Sequence, residues 1–296
     1  MLSPEIVKLF RRGPASIEPS NCPRADRSRI RTHNVTCRES ERVSEREGTR
    51  VDMHVKVLDD GVVERAKARG IDVLVYAPHF ERLPTIRRRA ERYSDDDLLV
   101  VPAREVFAEA WRERKHVLAI GLDDPVPDFV TLDGAMDEFR RQDAAVAVPH
   151  PEFLSVGMSR HDIARHVDAV DAVEAYNLKH WPHHTRRAKR IAESVEKPTF
   201  ASSYAHIRRT VGEAWTEFDR SIDDEQALVD ALREDAPREV HCRSGVEYGL
   251  ASVAEFAHLG WENSWKKIDR ILLPGQEATH PRNDAYDGRF DDVAVY

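Results

Sequence analysis

Short apolar runs alternate along this chain with charged stretches of helical period, and nearly every run has an imidazole or a carboxylate beside it. The runs cover residues 51–53, 71–75, 98–101, 117–120, 144–148, 169–175 and 198–200. Apolar runs this short, separated by helix-like segments, read as buried strands of a parallel α/β sheet and argue against a sandwich. Beside six of the seven stand His54, His79, Glu105, His116, His150 and His206. Potential ligands at almost every strand end favour a closed barrel over an open doubly wound sheet, because an open sheet gathers its ligands at one switch point and a barrel gathers them around a rim. His116 differs from the others in preceding its run.

The intervening segments carry helix signals. Val62, Val63, Ala66 and Ala68 form a helical stretch that Gly70 closes, and Thr131 stands as N-cap to residues 132–139. Residues 86–93, 163–167 and 185–195 supply further helices, and 222–232 another beyond Phe218. A longer helix is expected over 248–272, with Trp261 and Trp265 on one face to pack it against the barrel. The boundaries are therefore a disordered leader over 1–48, a barrel over 49–218 and a helical C-terminal extension over 219–296, irregular from about residue 278. The leader is rich in Arg, Ser, Glu and Pro and has no apolar period.

The 296 residues carry a net charge of −8, with only nine lysines among 45 Lys and Arg. An acidic, arginine-rich surface argues against a general nucleic-acid coat and fits a salt-adapted cytoplasm. No apolar stretch approaches the roughly 20 residues that cross a bilayer, so no membrane role is expected. Cys22, Cys37 and Cys242 lack metal-ligand spacing and form no even framework.

The ligand-type residues sit in segments with a specific likeness. "RVDMHVK" resembles the opening Asp-x-His-x-His motif of the PHP family, named for polymerase and histidinol phosphatase. "GIDVLVYAPHF" is similar to its second, Asp-His motif, "VVPAREV" to a strand ending in Gly-x-Glu, and "KHVLAIGL" to the strand that follows. "VAVPHPEF" carries a His-Pro, and "ASSYAHIRRTVGEAWTEF" resembles the Gly-Ser-Asp-Ala-His motif and its trailing segment. The resemblance runs in order from about Val51 to Phe218. It implies a distorted (β/α)7 TIM-like barrel, the PHP fold, binding up to three divalent metals, with a PHP-associated C-terminal segment. His54, His79, Glu105, His116, His150 and His206 occupy ligand positions in it, with Glu105 as a bridging carboxylate grouped with His116 and His150. Imidazole and carboxylate ligands suit Zn, Mn or Fe.

Three positions depart from the pattern. Lys56 replaces the second histidine of the first motif, Tyr204 the aspartate before His206, and Pro78 the aspartate before His79. Lys56 and Tyr204 fall on the site that His54 and Glu105 would otherwise complete, so fewer than three metals are expected. The Lys56 ammonium is expected to pair with Glu105 in place of a cation and to hold a substrate phosphate as a point charge. A neutral Lys56, or Tyr204 as a phenolate ligand, stays open as an alternative.

Glu105, His54, Lys56 and His206 are expected in catalysis, and Lys56, Asn177 and Arg208 against substrate, with Glu174 and Arg209 nearby. The cluster His180, His183 and His184 is expected on the surface. Three functions fit: hydrolysis of a small phosphate monoester or nucleotide by metal-activated water, a 5′-3′ exonuclease or nucleotide phosphatase of the same family, or a degenerate barrel that binds without catalysis.

Overall fold

The computed structural model describes residues 48–243, 253–255, 258 and 277–295. Nine strands form one sheet in the order β7-β6-β5-β4-β3-β2-β1-β8-β9. The seven expected runs are β1 (Thr49–Val55), β2 (Val73–Tyr76), β3 (Leu99–Ala108), β4 (Lys115–Ile120), β5 (Ala145–Val148), β6 (Ala172–Tyr176) and β7 (Thr199–Ala201). The added strands are β8 (Ala214–Phe218) and β9 (Arg238–Cys242), which pair antiparallel with each other, while β8 pairs antiparallel with β1. The extension beyond Phe218 therefore supplies a strand as well as a helix. Residues 1–47 of the leader expected over 1–48, most of the long helix expected over 248–272 and both of its tryptophans lie outside the described residues. Cys242 is disulfide-bonded, which the count of three cysteines did not anticipate.

The sheet is mixed, not wholly parallel. Pairs β1–β2, β2–β3, β5–β6 and β6–β7 are parallel, whereas β4 runs antiparallel to both β3 and β5. Parallel neighbours need a crossover of about a dozen residues or more. Only residues 109–114 separate β3 from β4, so β4 must turn back along β3. That reversal explains why His116 precedes its run: the beginning of β4 lies where the other strands end.

The sheet curls until its ends nearly meet. The Val55–Ala205 bridge joins the end of β1 to the segment after β7. Thr216 on β8 accepts the Ala201 N–H at 2.9 Å and donates to the Ala201 carbonyl at 3.1 Å, so a side chain closes the seam where a strand ladder would. Inside, Val51, Met53, Val75, Val101, Leu118, Ala147 and Phe200 pack together with Leu228, Val229 and Leu232 of a helix at Glu225–Arg233. This helix, α6 in chain order, is the apolar plug of the end opposite the ligand residues. Gly121 (φ +82°) adopts a left-handed backbone beside it, where a Cβ would press on Val229.

Helices α1 (Asp60–Ala68), α2 (Leu83–Tyr93), α3 (Leu132–Arg141), α4 (Arg160–Arg165) and α5 (Pro182–Ser194) cover the outside. Their ends follow local chemistry. Asp59 caps α1 by accepting the Val62 N–H, Gly70 beyond it takes φ +69°, and Thr131 caps α3 by accepting the Gly134 N–H. Met136 and Phe139 of α3 and Ile191 of α5 are buried in one cluster with Val146 and Val173 of the sheet. Each such side chain contributes about 1.5–3 kcal/mol on leaving water.

Candidate metal centre

Glu105 lies within β3 and is enclosed, with 1% of its surface exposed. Its two carboxylate oxygens face different company. Oε1 lies 3.2 Å from His116 Nδ1 and 3.2 Å from His150 Nε2. Oε2 accepts from Lys56 Nζ, lies 2.8 Å from His79 Nε2 and stands 3.8 Å from His54 Nε2. One carboxylate thus divides the mouth into an imidazole side and a side held by an ammonium.

On the imidazole side, one ligand atom each of Glu105, His116 and His150 lies within 4.8 Å of the others, and all three residues are buried. Local packing aims them. The His116 ring stacks on Phe107 at 4.0 Å between centroids, with planes 6° apart. His150 has a left-handed backbone (φ +32°), held where its N–H donates to Glu174 Oε2 at 2.7 Å. Gly157 backs this turn, and a Cβ there would collide with the His150 carbonyl oxygen. Glu174 itself is positioned by Asn177 Nδ2 (2.7 Å) and Ser202 Oγ (2.5 Å), and burial raises its carboxyl pKa.

The electrostatics suit a cation at this cluster. Burial lowers the His116 pKa to about 4, so the imidazole is neutral near pH 7 and offers a lone pair. Burial alone would raise the Glu105 carboxyl, but the Lys56 ammonium and the neighbouring imidazoles hold it well below the usual carboxylate range. Among the described residues, His116 Nε2 and His150 Nδ1 make no hydrogen bond. Neutral imidazole and ionised carboxylate are the forms that ligate a divalent metal, and three protein ligands leave a coordination position over. The residues therefore fit one such ion.

The opposite side is built otherwise. Lys56, with 9% of its surface exposed, donates to the Ala77 carbonyl at 2.5 Å as well as to Glu105. Burial lowers its pKa to about 8, with Glu105 opposing the shift. His54 is wholly buried, and burial together with the Lys56 charge keeps it neutral. The Tyr204 ring lies 4.8 Å from that of His54 and 5.0 Å from that of His150, with a left-handed backbone (φ +49°). Asp52 clamps the loop carrying it, accepting from Ser203 N at 2.8 Å and Gly212 N at 3.0 Å, and burial raises its pKa to about 6.

His206 does not reach the Glu105 cluster as a hydrogen-bond partner. Its Nδ1 lies 2.6 Å from Lys179 Nζ and 3.0 Å from the Tyr204 carbonyl oxygen, and its ring centroid is 5.5 Å from that of His79. Asn177 is engaged inside the protein at both ends of its amide, with Glu174 and with Lys179 N. Arg208 is exposed and meets Asp59 Oδ2 at 3.4 Å. His180, expected on the surface, is instead buried beside Phe153, and burial lowers its pKa to about 3. Its neighbour His183 is exposed and His184 is intermediate, so only part of that cluster meets water. Sequence reasoning missed Lys179 and Glu255. The only signal for Lys179 is a lone cation in the otherwise uncharged stretch after β6, and nothing local marks Glu255.

Comparison with known proteins agrees with this architecture. A family model described as PHP-associated matches residues 182–237, from α5 through β7 and β8 to α6. No protein of curated function matches the chain. Among solved structures, PsfC from Pseudomonas syringae PB-5123 is similar with a TM-score of 0.56 at 17% identity, covering 71% of this chain and 97% of that one. A two-domain protein from Bacteroides vulgatus ATCC 8482, containing a predicted PHP-like metal-dependent phosphoesterase, has a TM-score of 0.50 at 15% identity. That likeness covers 71% of this chain and 70% of the other. At such identities the likeness is one of fold.

Proposed function

From the premise that this chain has a PHP-like metal-dependent phosphoesterase fold with a reduced, three-residue metal-ligand cluster, we propose that its mouth binds one divalent cation together with a small phosphorylated ligand. The carrying observation is the Lys56 ammonium on Glu105 Oε2. A metal pair that clamps a phosphoryl group needs cations about 3.5–4 Å apart sharing the bridging carboxylate. Here one arm of that carboxylate already holds a protein cation, and a second divalent ion beside it would meet like charge.

Glu105, His116 and His150 would hold the ion, with Zn, Mn or Fe as the chemically matched choices. Such an ion supplies Lewis-acid charge toward a phosphoryl oxygen. The chain's own residues supply the rest. Lys56 offers a compact positive charge to a phosphate, Glu174 keeps His150 in place, and the apolar plug at α6 confines access to the mouth. The geometry best supports a binding module derived from a hydrolytic barrel.

A second reading is a phosphoesterase, in which water displaces the alcohol from a phosphate monoester. The feature favouring it is the open position that a three-ligand set leaves at the ion. Nucleic-acid ends are the third substrate class, and a chain of net charge −8 supports it least. The test combines metal analysis of chelator-free protein with Zn- or Mn-supplemented hydrolysis of a phosphate-ester panel, using Glu105→Ala as control. A single bound equivalent, phosphate binding and no turnover above the control support the module. Turnover abolished in Glu105→Ala would move the assignment to the enzyme, and absence of bound metal would sink both.

A further inference from the structure

The mouth contains a second buried ammonium. Lys179 follows β6, and its side chain is wholly enclosed. Among the described residues, its Nζ lies 2.6 Å from His206 Nδ1, donates to the Tyr204 carbonyl oxygen at 3.2 Å and forms an ion pair with Glu255 Oε2 at 3.4 Å. An ammonium has three N–H donors and no lone pair, so toward His206 Nδ1 it can only donate. The face of the Tyr204 ring, 3.8 Å from Nζ at its centroid, adds a cation–π contact. Glu255 anchors the same loop from the other oxygen, accepting from His206 N at 2.8 Å, Ile207 N at 3.1 Å and Thr210 Oγ1.

This geometry has a consequence for His206. A neutral imidazole carries its proton on one nitrogen only, and the partner of each nitrogen decides which. A proton on Nδ1 would set an N–H donor against an ammonium 2.6 Å away, whereas a bare Nδ1 accepts from it. The Tyr204 carbonyl, 3.0 Å from Nδ1, is the competing partner and would accept from an Nδ1–H, but the Lys179 ammonium is nearer, at 2.6 Å. Metal-ligating imidazoles are organised in the opposite sense, donating from the non-ligating nitrogen to a carbonyl or carboxylate.

We infer that Lys179 holds His206 in its Nε2–H tautomer, so that His206 serves the mouth as a hydrogen-bond donor and not as a metal ligand. Lys179 is in this sense a positioning residue, acting through His206. The inference rests on the reading of the mouth as a one-cation site only in its consequence for metal; the tautomer follows from Lys179 being the nearer of the two Nδ1 partners. Burial and the Lys179 charge both keep the His206 ring from taking a second proton. In a chain with only nine lysines against a large excess of arginine, two of them fill the mouth.

Long-range nitrogen–proton NMR of the full chain, labelled at histidine and assigned with His206→Gln, reads the tautomer directly. The expected wild-type spectrum has His206 protonated at Nε2, and Lys179→Met inverts it to Nδ1–H as the Tyr204 carbonyl becomes the partner. Zinc added to wild type shifts His116 and His150 and leaves His206 unchanged; in Lys179→Met it shifts His206 too. An Nδ1–H signal in wild type, or a wild-type His206 that moves with zinc, overturns the inference. The wild-type spectrum decides even if the variant does not fold. An Nε2–H tautomer in a protein where zinc shifts no histidine would uphold the tautomer and defeat the one-cation reading.

Discussion

Replacing Lys56 with methionine tests the electrostatic core of the site. The substitution keeps most of the side-chain volume but leaves the Glu105 carboxylate, 1% exposed, without its ammonium. Removing one partner of a buried ion pair costs about 3–5 kcal/mol, because the remaining charge is uncompensated. Glu105 keeps contacts at 2.8 Å to His79 and at 3.2 Å to His116 and His150, which places the expected loss near the lower bound, about 3 kcal/mol. At about 2–4 °C per kcal/mol for a domain of this size, the melting temperature should fall by about 6–12 °C. Urea unfolding with chelator present measures the loss without a cation standing in for the lysine. Glu105→Gln combined with Lys56→Met removes the stranded charge, so the double variant should be more stable than Lys56→Met alone. A double-mutant cycle should return a coupling of about 2 kcal/mol or more. A single variant within about 1 kcal/mol of wild type, or a double variant no better than the single, would refute the claim that Lys56 compensates a buried carboxylate.

Two further expectations concern metal affinity. Lys56 has its pKa lowered from 10.5 to about 8, so it is an ammonium below that pH and an amine with a free lone pair above it. Zinc affinity should therefore rise between about pH 7 and about pH 9 in isotherms, more steeply than in Lys56→Arg, whose charge persists throughout; equal slopes would count against it. Glu174→Ala removes the acceptor that pins the His150 backbone and should weaken zinc binding about 10–100-fold. Arg208→Ala, altering an exposed side chain paired with Asp59, should leave it unchanged, and parity between the two variants would show that Glu174 does not orient the ligand.

Much of the barrel and the identity of the central cluster were legible in the sequence because both depend on local pattern. An apolar run describes a buried strand, and a histidine or glutamate beside it marks the mouth; β1 to β7 all arose from apolar runs, six of them with such a residue nearby. Thr131 and Gly70 marked helix ends for the same reason, since a cap involves only its own turn. β8 alternates between buried and half-buried residues, but it closes the sheet against β1, far away in the chain, and its role emerges only from that pairing. The direction of β4 depended on a connection too short for a crossover, which turned the anomaly of His116 into a geometric necessity.

By itself, then, the sequence determined which residue types line the mouth and that one ligand position holds a lysine, because strand ends and motif positions are local properties. Tertiary structure alone decided how charge is shared there. It set Lys56 on one oxygen of Glu105 and two histidines on the other. It also brought Lys179 and Glu255 to His206 from distant parts of the chain. Protonation and ligation follow from which atoms meet within about 3 Å, and no spacing along a chain specifies that.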